Sequence, residues 1–112
     1  AAIEAENNKV HSMGIIHIID NITVNTLGSG GRRYVIAEVA LEVSDQAVID
    51  EIILREPQIR DEFIRYLRRQ TAEHVLDLGF QERSRRDLTA MLNLHLNEGI
   101  VDSLYYIKLL LQ

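Results

Sequence analysis

The 112-residue chain has no cysteine. That excludes disulfides, thiol nucleophiles and cysteine-ligated metal, and it suits an oxidising compartment as well as a reducing one. Proline occurs once, at Pro57, and lysine is scarce, with ten of the twelve basic residues being arginine. Arginine makes bidentate and stacked contacts that lysine cannot. No apolar run approaches the ~20 residues a membrane-spanning helix needs. The longest, "GIIHIID" and "LYYIKLLLQ", are strand-sized. Positive charge is also short overall, with a formal net charge of -5 and few aromatics between the arginines. A dedicated nucleic-acid binder needs the opposite balance.

What is present is a globular composition, 46% hydrophobic and 26% charged, enough for one domain with a modest core. The charge is unevenly spread. Residues 1–54 hold three Lys/Arg against eight Asp/Glu, whereas residues 55–86 hold eight arginines against six acids. Residues 87–112 hold one lysine and three acids, so the middle segment alone is net positive.

Along the chain, residues 1–13 are polar and read as a linker or tether, and residues 14–112 as the domain. The start "AAIEAENNK" looks like the end of a tether, so the natural protein is expected to be longer. "IIHIIDNITVN" is rich in β-branched residues and predicts a strand, interrupted by a bulge near Asp20-Asn21. "TLGSGGRR" predicts a hairpin loop; it lacks the lysine and following helix of a phosphate-binding loop. In "RYVIAEVALEVSD", Val35, Ala37, Val39, Leu41 and Val43 alternate cleanly, which predicts a strand with one buried face.

Ser44 or Asp45 can cap a helix over about 45–55, where Val48, Ile49, Ile52 and Ile53 form the apolar stripe. Pro57 then intervenes. Two readings stand: a break at Glu56 with a new helix from Pro57 to Arg69, or one continuous kinked helix. Ile59, Phe63, Tyr66 and Leu67 continue the stripe. Thr71 is a plausible cap for a short helical turn before Gly79. A further helix carries Leu88, Met91 and Leu92, followed by His95 or Leu96, and is expected to end at Gly99. "IVDSLYYIKLLLQ" predicts a last strand, central in the sheet or paired with another subunit, because neither of its faces is polar. The fold class is α+β in the order β-β-α-α-α-β, an antiparallel sheet packed by helices.

Little in this pattern supports catalysis. The histidines His11, His17, His74 and His95 share no helix face at i, i+4 spacing, so no metal site is expected. No serine sits on the tight turn that an activated nucleophile requires. No cofactor is implied. The arginines are the main surface signal. Glu56–Arg60, Asp61–Arg65 and Glu82–Arg86 are i, i+4 pairs with the acid first, the stabilising order. The plain reading is a solvated, self-paired face. The sharper one is a protein contact, for which Arg60, Asp61, Arg65, Arg68, Arg69, Arg83, Arg85 and Tyr105 are candidates. Among them Arg68, Arg69, Arg83 and Arg85 have no obvious acid at i+4.

Three stretches carry a resemblance. Pro57, Ile59, Arg60 and Asp61 form a Pro-x-Ile-Arg-Asp motif on a helix. Thr71, Ala72 and Glu73 follow as a helix start, with Gln70 before them. Ile100, Val101, Asp102, Leu104, Tyr105 and Tyr106 lead to a final Gln112. In this order they resemble the periplasmic domain of the flagellar basal body-associated FliL family, over about residues 15–112. "IIDNITVNTL" keeps only the Val-Asn-x-Leu end of that family's first-strand core, and Lys108 stands where an acid is common.

The resemblance implies a stomatin/SPFH-like fold with Pro57, Ile59, Phe63 and Thr71 as structural motif residues. It also implies a periplasmic domain tethered to the inner membrane by one helix before Ala1. The implied role is non-enzymatic: a homo-oligomeric ring at the basal body, contacting the periplasmic linker of MotA/MotB-type stator proteins. Torque and swarming would depend on it. A generic SPFH-like membrane scaffold without a motor role is the alternative.

Overall fold

The computed structural model describes residues 14–112; the tether expected at 1–13 lies outside them. Strand β1 (Ile15–Asn25) and strand β2 (Tyr34–Val43) form an antiparallel hairpin. Four helices follow: α1 (Gln46–Leu54), α2 (Glu56–Arg68), α3 (Ala72–Leu76) and α4 (Phe80–His95). Strand β3 (Ser103–Leu111) closes the chain. The fold is thus α+β, with the short turn after Thr71 counting as a fourth helix where three are expected.

The sheet order is β1-β2-β3, so β2 is central and β3 is an edge. This corrects the central placement expected for β3. Its inner residues Leu104, Tyr106, Leu109 and Leu111 pack under the helices, whereas Tyr105, Ile107 and Leu110 are exposed.

The inner face is set by β2. Val35, Ala37, Val39, Leu41 and Val43 are all buried, and the alternate residues Ile19, Ile22 and Val24 of β1 join them. The register of β1 slips between Ile19 and Ile22, at the expected bulge. Asn21 takes up the extra residue with φ 56°, a left-handed conformation asparagine tolerates. The slip moves the buried parity from odd to even positions, so Ile16 and Ile18 face out while Ile22 and Val24 face in. Ile59, Phe63 and Leu67 from α2 and Leu88 and Leu92 from α4 complete the core. Each such side chain contributes roughly 1.5–3 kcal/mol by leaving water.

Pro57 resolves as a helix start. Arg55 leaves helical geometry (φ -99°, ψ 11°), and α2 begins at Glu56 with the proline in its first turn. The break therefore lies one residue before the expected Glu56. The missing proline N–H costs nothing there, because first-turn amides have no intrahelical acceptor. Asp45 caps α1 by accepting from the Ala47 amide at 3.1 Å, and Thr71 Oγ1 accepts from the His74 amide at 3.1 Å. α4 ends at His95, four residues before Gly99. Asn93 explains the early stop. Its side chain accepts from the Val101 amide at 2.7 Å and donates to the Val101 carbonyl at 3.2 Å, folding the chain back toward β3.

Candidate functional site

Helix α2 is fastened by polar contacts along its length. At its start, Glu56 meets His17 Nε2 of β1 at 3.0 Å and accepts from Arg60 Nε at 3.1 Å. The hydrogen bond with His17, and after it that from Arg60, holds the Glu56 carboxyl below its ordinary value, against the opposing cost of burial. Arg60 also donates to the backbone carbonyl of Asp20 at 2.7 Å and to its carboxylate at 3.2 Å, so it closes the bulge of β1. Farther along, Glu62 meets His95 at 3.3 Å, and the Tyr66 hydroxyl donates to Asp87 at 2.8 Å. Burial, reinforced by the Asp87 carboxylate, pushes the Tyr66 phenol upward.

The arginines expected to form one contact face are distributed over three places. Arg65, half-exposed, is paired with Asp61 at 2.9 Å, as spacing predicts. Arg68 and Arg69 are exposed and form no ion pair among the described residues; Arg68 borders a groove with Ile64 and residues 23–28. Arg83 bonds Asp77 at 3.0 Å, beside α3. Arg85 lies against β3: its Nε donates to the Leu104 carbonyl at 2.7 Å, and its guanidinium sits 5.2 Å from the Tyr105 ring centre. Glu82 pairs with Arg85 at i+3 (3.3 Å) rather than with Arg86 at i+4, because β3 draws Arg85 toward that side. Of the residues without an obvious acid, Arg83 and Arg85 are therefore engaged inside the fold, and Arg68 and Arg69 are left facing solvent.

Tyr105 is likewise engaged. Its hydroxyl donates to Glu42 at 2.9 Å, and Glu42 also accepts from the Gly14 amide at 2.9 Å. Glu42 is buried although it lies on the outer side of the sheet, and its carboxylate ties β2 to β3 and to the residue that leads into β1. Gly14 must approach closely for this. A Cβ at that position would stand 1.9 Å from the Val43 carbonyl oxygen.

Sequence reasoning missed Glu42 and Glu51. Glu51 is buried on α1, where it accepts from the Asn97 and Glu98 amides at 2.8–3.0 Å and from Arg55 at 2.8 Å. The Glu98 amide is the largest cause of its lowered pKa, offset by burial and supported by the Asn97 amide and Arg55. A signal existed, since Glu51 lies on the turn between the buried Val48 and Ile52, where a solvated acid is out of place. Arg55 stands at i+4, but nothing marked the Asn97 and Glu98 amides, which lie 46 and 47 residues away.

No group of three or more His, Asp or Glu side chains converges in a metal-binding arrangement among the described residues, and no described helix is long and apolar enough to cross a membrane. The arrangement offers two kinds of surface. One is the exposed arginine pair ending α2; the other is the outer sheet face, where Ile16, Ile18, Ile107 and Leu110 are exposed.

Comparison with known proteins adds two findings. The family model described as "Flagellar basal body-associated protein FliL" matches residues 15–112. A curated relative, "Flagellar protein FliL" of Aquifex aeolicus (strain VF5), is 27% identical over 101 residues, which cover 89% of this chain. The chain spans 63% of that relative's length.

Proposed function

Because the chain belongs to the flagellar basal body-associated FliL family, we propose that it is a non-enzymatic accessory domain of the flagellar motor. In this reading residues 14–112 are a periplasmic domain with a stomatin/SPFH-like fold, and residues 1–13 connect it to a single inner-membrane helix. Copies assemble into a ring around or beside the stator units and support stator engagement, torque and swarming.

The observation that carries this reading is the family match across the whole described domain. Arg65, Arg68 and Arg69 supply a chemical handle for a partner. They occupy the last turn of α2 and its cap, and the latter two form no ion pair among the described residues. Cations at a helix C-terminus add to the stability of that end, so a contact made through them also senses the order of α2.

The test is binding of the chain to a synthetic peptide spanning the periplasmic linker of the host's stator protein, followed by fluorescence anisotropy. Chain free in solution and chain anchored on vesicles are compared. Saturable binding that falls at least tenfold in the R68E/R69E double variant supports the proposal. Absence of affinity in both formats removes the stator role and leaves the generic membrane scaffold as the better reading.

A further inference from the structure

Both outer strands of the sheet carry devices against unwanted pairing. Arg60 covers the Asp20 carbonyl at the β1 bulge, and Arg85 covers the Leu104 carbonyl near the start of β3. A second register slip, between Lys108 and Tyr106, bends β3. Among the described residues two short edge segments are left open, and they match.

The ladder pattern identifies them. Tyr34 and Gln112 exchange both backbone hydrogen bonds at 2.9 Å. By alternation, Leu109 and Leu111 turn their N–H and C=O groups away from β2. The odd-numbered residues of β2 turn toward β1, where they meet Ile15, His17 and Ile19. Among the described residues, Ile16 and Ile18 therefore present unpaired backbone groups at the opposite edge. Beside Leu109 and Leu111 lies a groove of about 280 Å³, walled by Val75, Leu76, Leu78 and Gln81, with Leu78 fully exposed.

We propose that residues 15–19 of a second copy add to residues 107–111 as a parallel strand, making one sheet continuous across the subunits. Three observations select this occupant. The first is direction: β1 is antiparallel to β2 and β2 to β3, so β1 and β3 run the same way. A neighbour whose β1 lies parallel to β3 has the same orientation as the first copy, and every copy's residue 14 lies on the same side. The second is the pleat. A parallel ladder sets a residue with outward groups opposite one with inward groups. Ile16 then faces Lys108 and Ile18 faces Leu110, all with side chains on the outer face, and the helices of both copies stay on one side. An antiparallel approach would set Ile18 against Leu109 or Leu111 and turn the neighbour's helices over. The third is chemistry. Ile16 and Ile18 expose apolar side chains on the outer face, where Ile107 and Leu110 are exposed as well.

Such a contact is head-to-tail, and with the natural twist of sheets it closes into a ring or winds into a helix. Five residues of pairing bury little area, so the contact depends on the local concentration that anchoring on a surface provides. The inference rests on the self-assembly in the proposed function and adds the surfaces that make it.

The absence of cysteine allows a clean test. Ile18→Cys and Leu110→Cys chains are purified separately, anchored through an N-terminal hexahistidine tag on nickel-chelating vesicles, mixed and oxidised. Neighbouring strands lie within disulfide reach. The mixture is expected to give at least tenfold more disulfide dimer than either variant alone. Adding Leu109→Pro to the Leu110→Cys chain is expected to remove that dimer without unfolding it, because the Leu109 N–H bonds nothing in β2; circular dichroism checks the fold. If anchored chains associate, shown by an amine cross-linker, but the cysteine pair does not react or Leu109→Pro changes nothing, the interface is wrong and self-assembly stands. If anchored wild-type chains do not associate at any surface density, both are overturned.

Discussion

Arg60 donates to the backbone carbonyl of Asp20 at 2.7 Å, across 40 residues of sequence. The arginine belongs to the first turns of α2, and the carbonyl is freed by the bulge in β1. A bulge leaves a residue without its ladder partner, and a charged donor is a strong way to satisfy the orphan. Arg60→Ala is expected to cost about 1–2 kcal/mol, the lower part of the range for hydrogen bonds to charged groups, since the side chain is partly solvated. Urea denaturation of wild type and variant measures this. An unchanged midpoint would show that water replaces the arginine without loss.

Phe63→Ala should separate core from surface on the same helix. Phe63 is 1% exposed and faces the sheet. Its truncation is expected to cost about 3–5 kcal/mol, enough to unfold a marginal domain of this size near body temperature. Arg68→Ala and Arg69→Ala, one turn later, should stay within about 0.5 kcal/mol of wild type. Thermal melts followed by circular dichroism distinguish the two classes.

Asp45 and Thr71 both accept a hydrogen bond from an amide in the first turn of the helix that follows. Asp45→Ala and Thr71→Ala are each expected to cost about 1 kcal/mol. α3 has only five residues, so loss of its cap should also speed hydrogen exchange locally, with α4 unaffected. Uniformly faster exchange in the Thr71 variant would contradict the local reading.

Acid stability has a definite sign. Glu51 is held below its ordinary value of 4.5 chiefly by the Glu98 amide, Glu56 chiefly by His17, and Asp77, below 3.8, chiefly by Arg83. In each case the unfolded chain takes up its proton at a higher pH than the folded chain. The stabilisation is therefore complete above about pH 5 and is lost as pH falls through the ordinary carboxylate value and below it. Urea midpoints should drop as the pH falls below about 5. Glu51→Gln should be less stable at neutral pH and show a shallower acid-side loss.

The strands, the Asp20-Asn21 bulge, the Thr71 cap and the core stripe of Ile59, Phe63 and Leu67 were legible in the chain because each depends on neighbours within a few residues. The same holds for Asp61–Arg65 and for the helix start at Pro57. Family membership was legible for a related reason, since its motifs are short and occur in a fixed order. Which strand lies at the edge was not legible. β3 is apolar on both faces, as a central strand is, and only the return path set by Asn93 and Val101 places it outside β2. Nor could spacing tell which arginines are free. Arg85 is engaged because Leu104 and Tyr105 arrive beside it from 19 and 20 positions later, and Glu42 and Glu51 are satisfied by donors that arrive from distant segments. Local chemistry determined the elements; long-range contacts, whose partners no local pattern encodes, decided which polar groups were consumed by the fold and which were left for a partner.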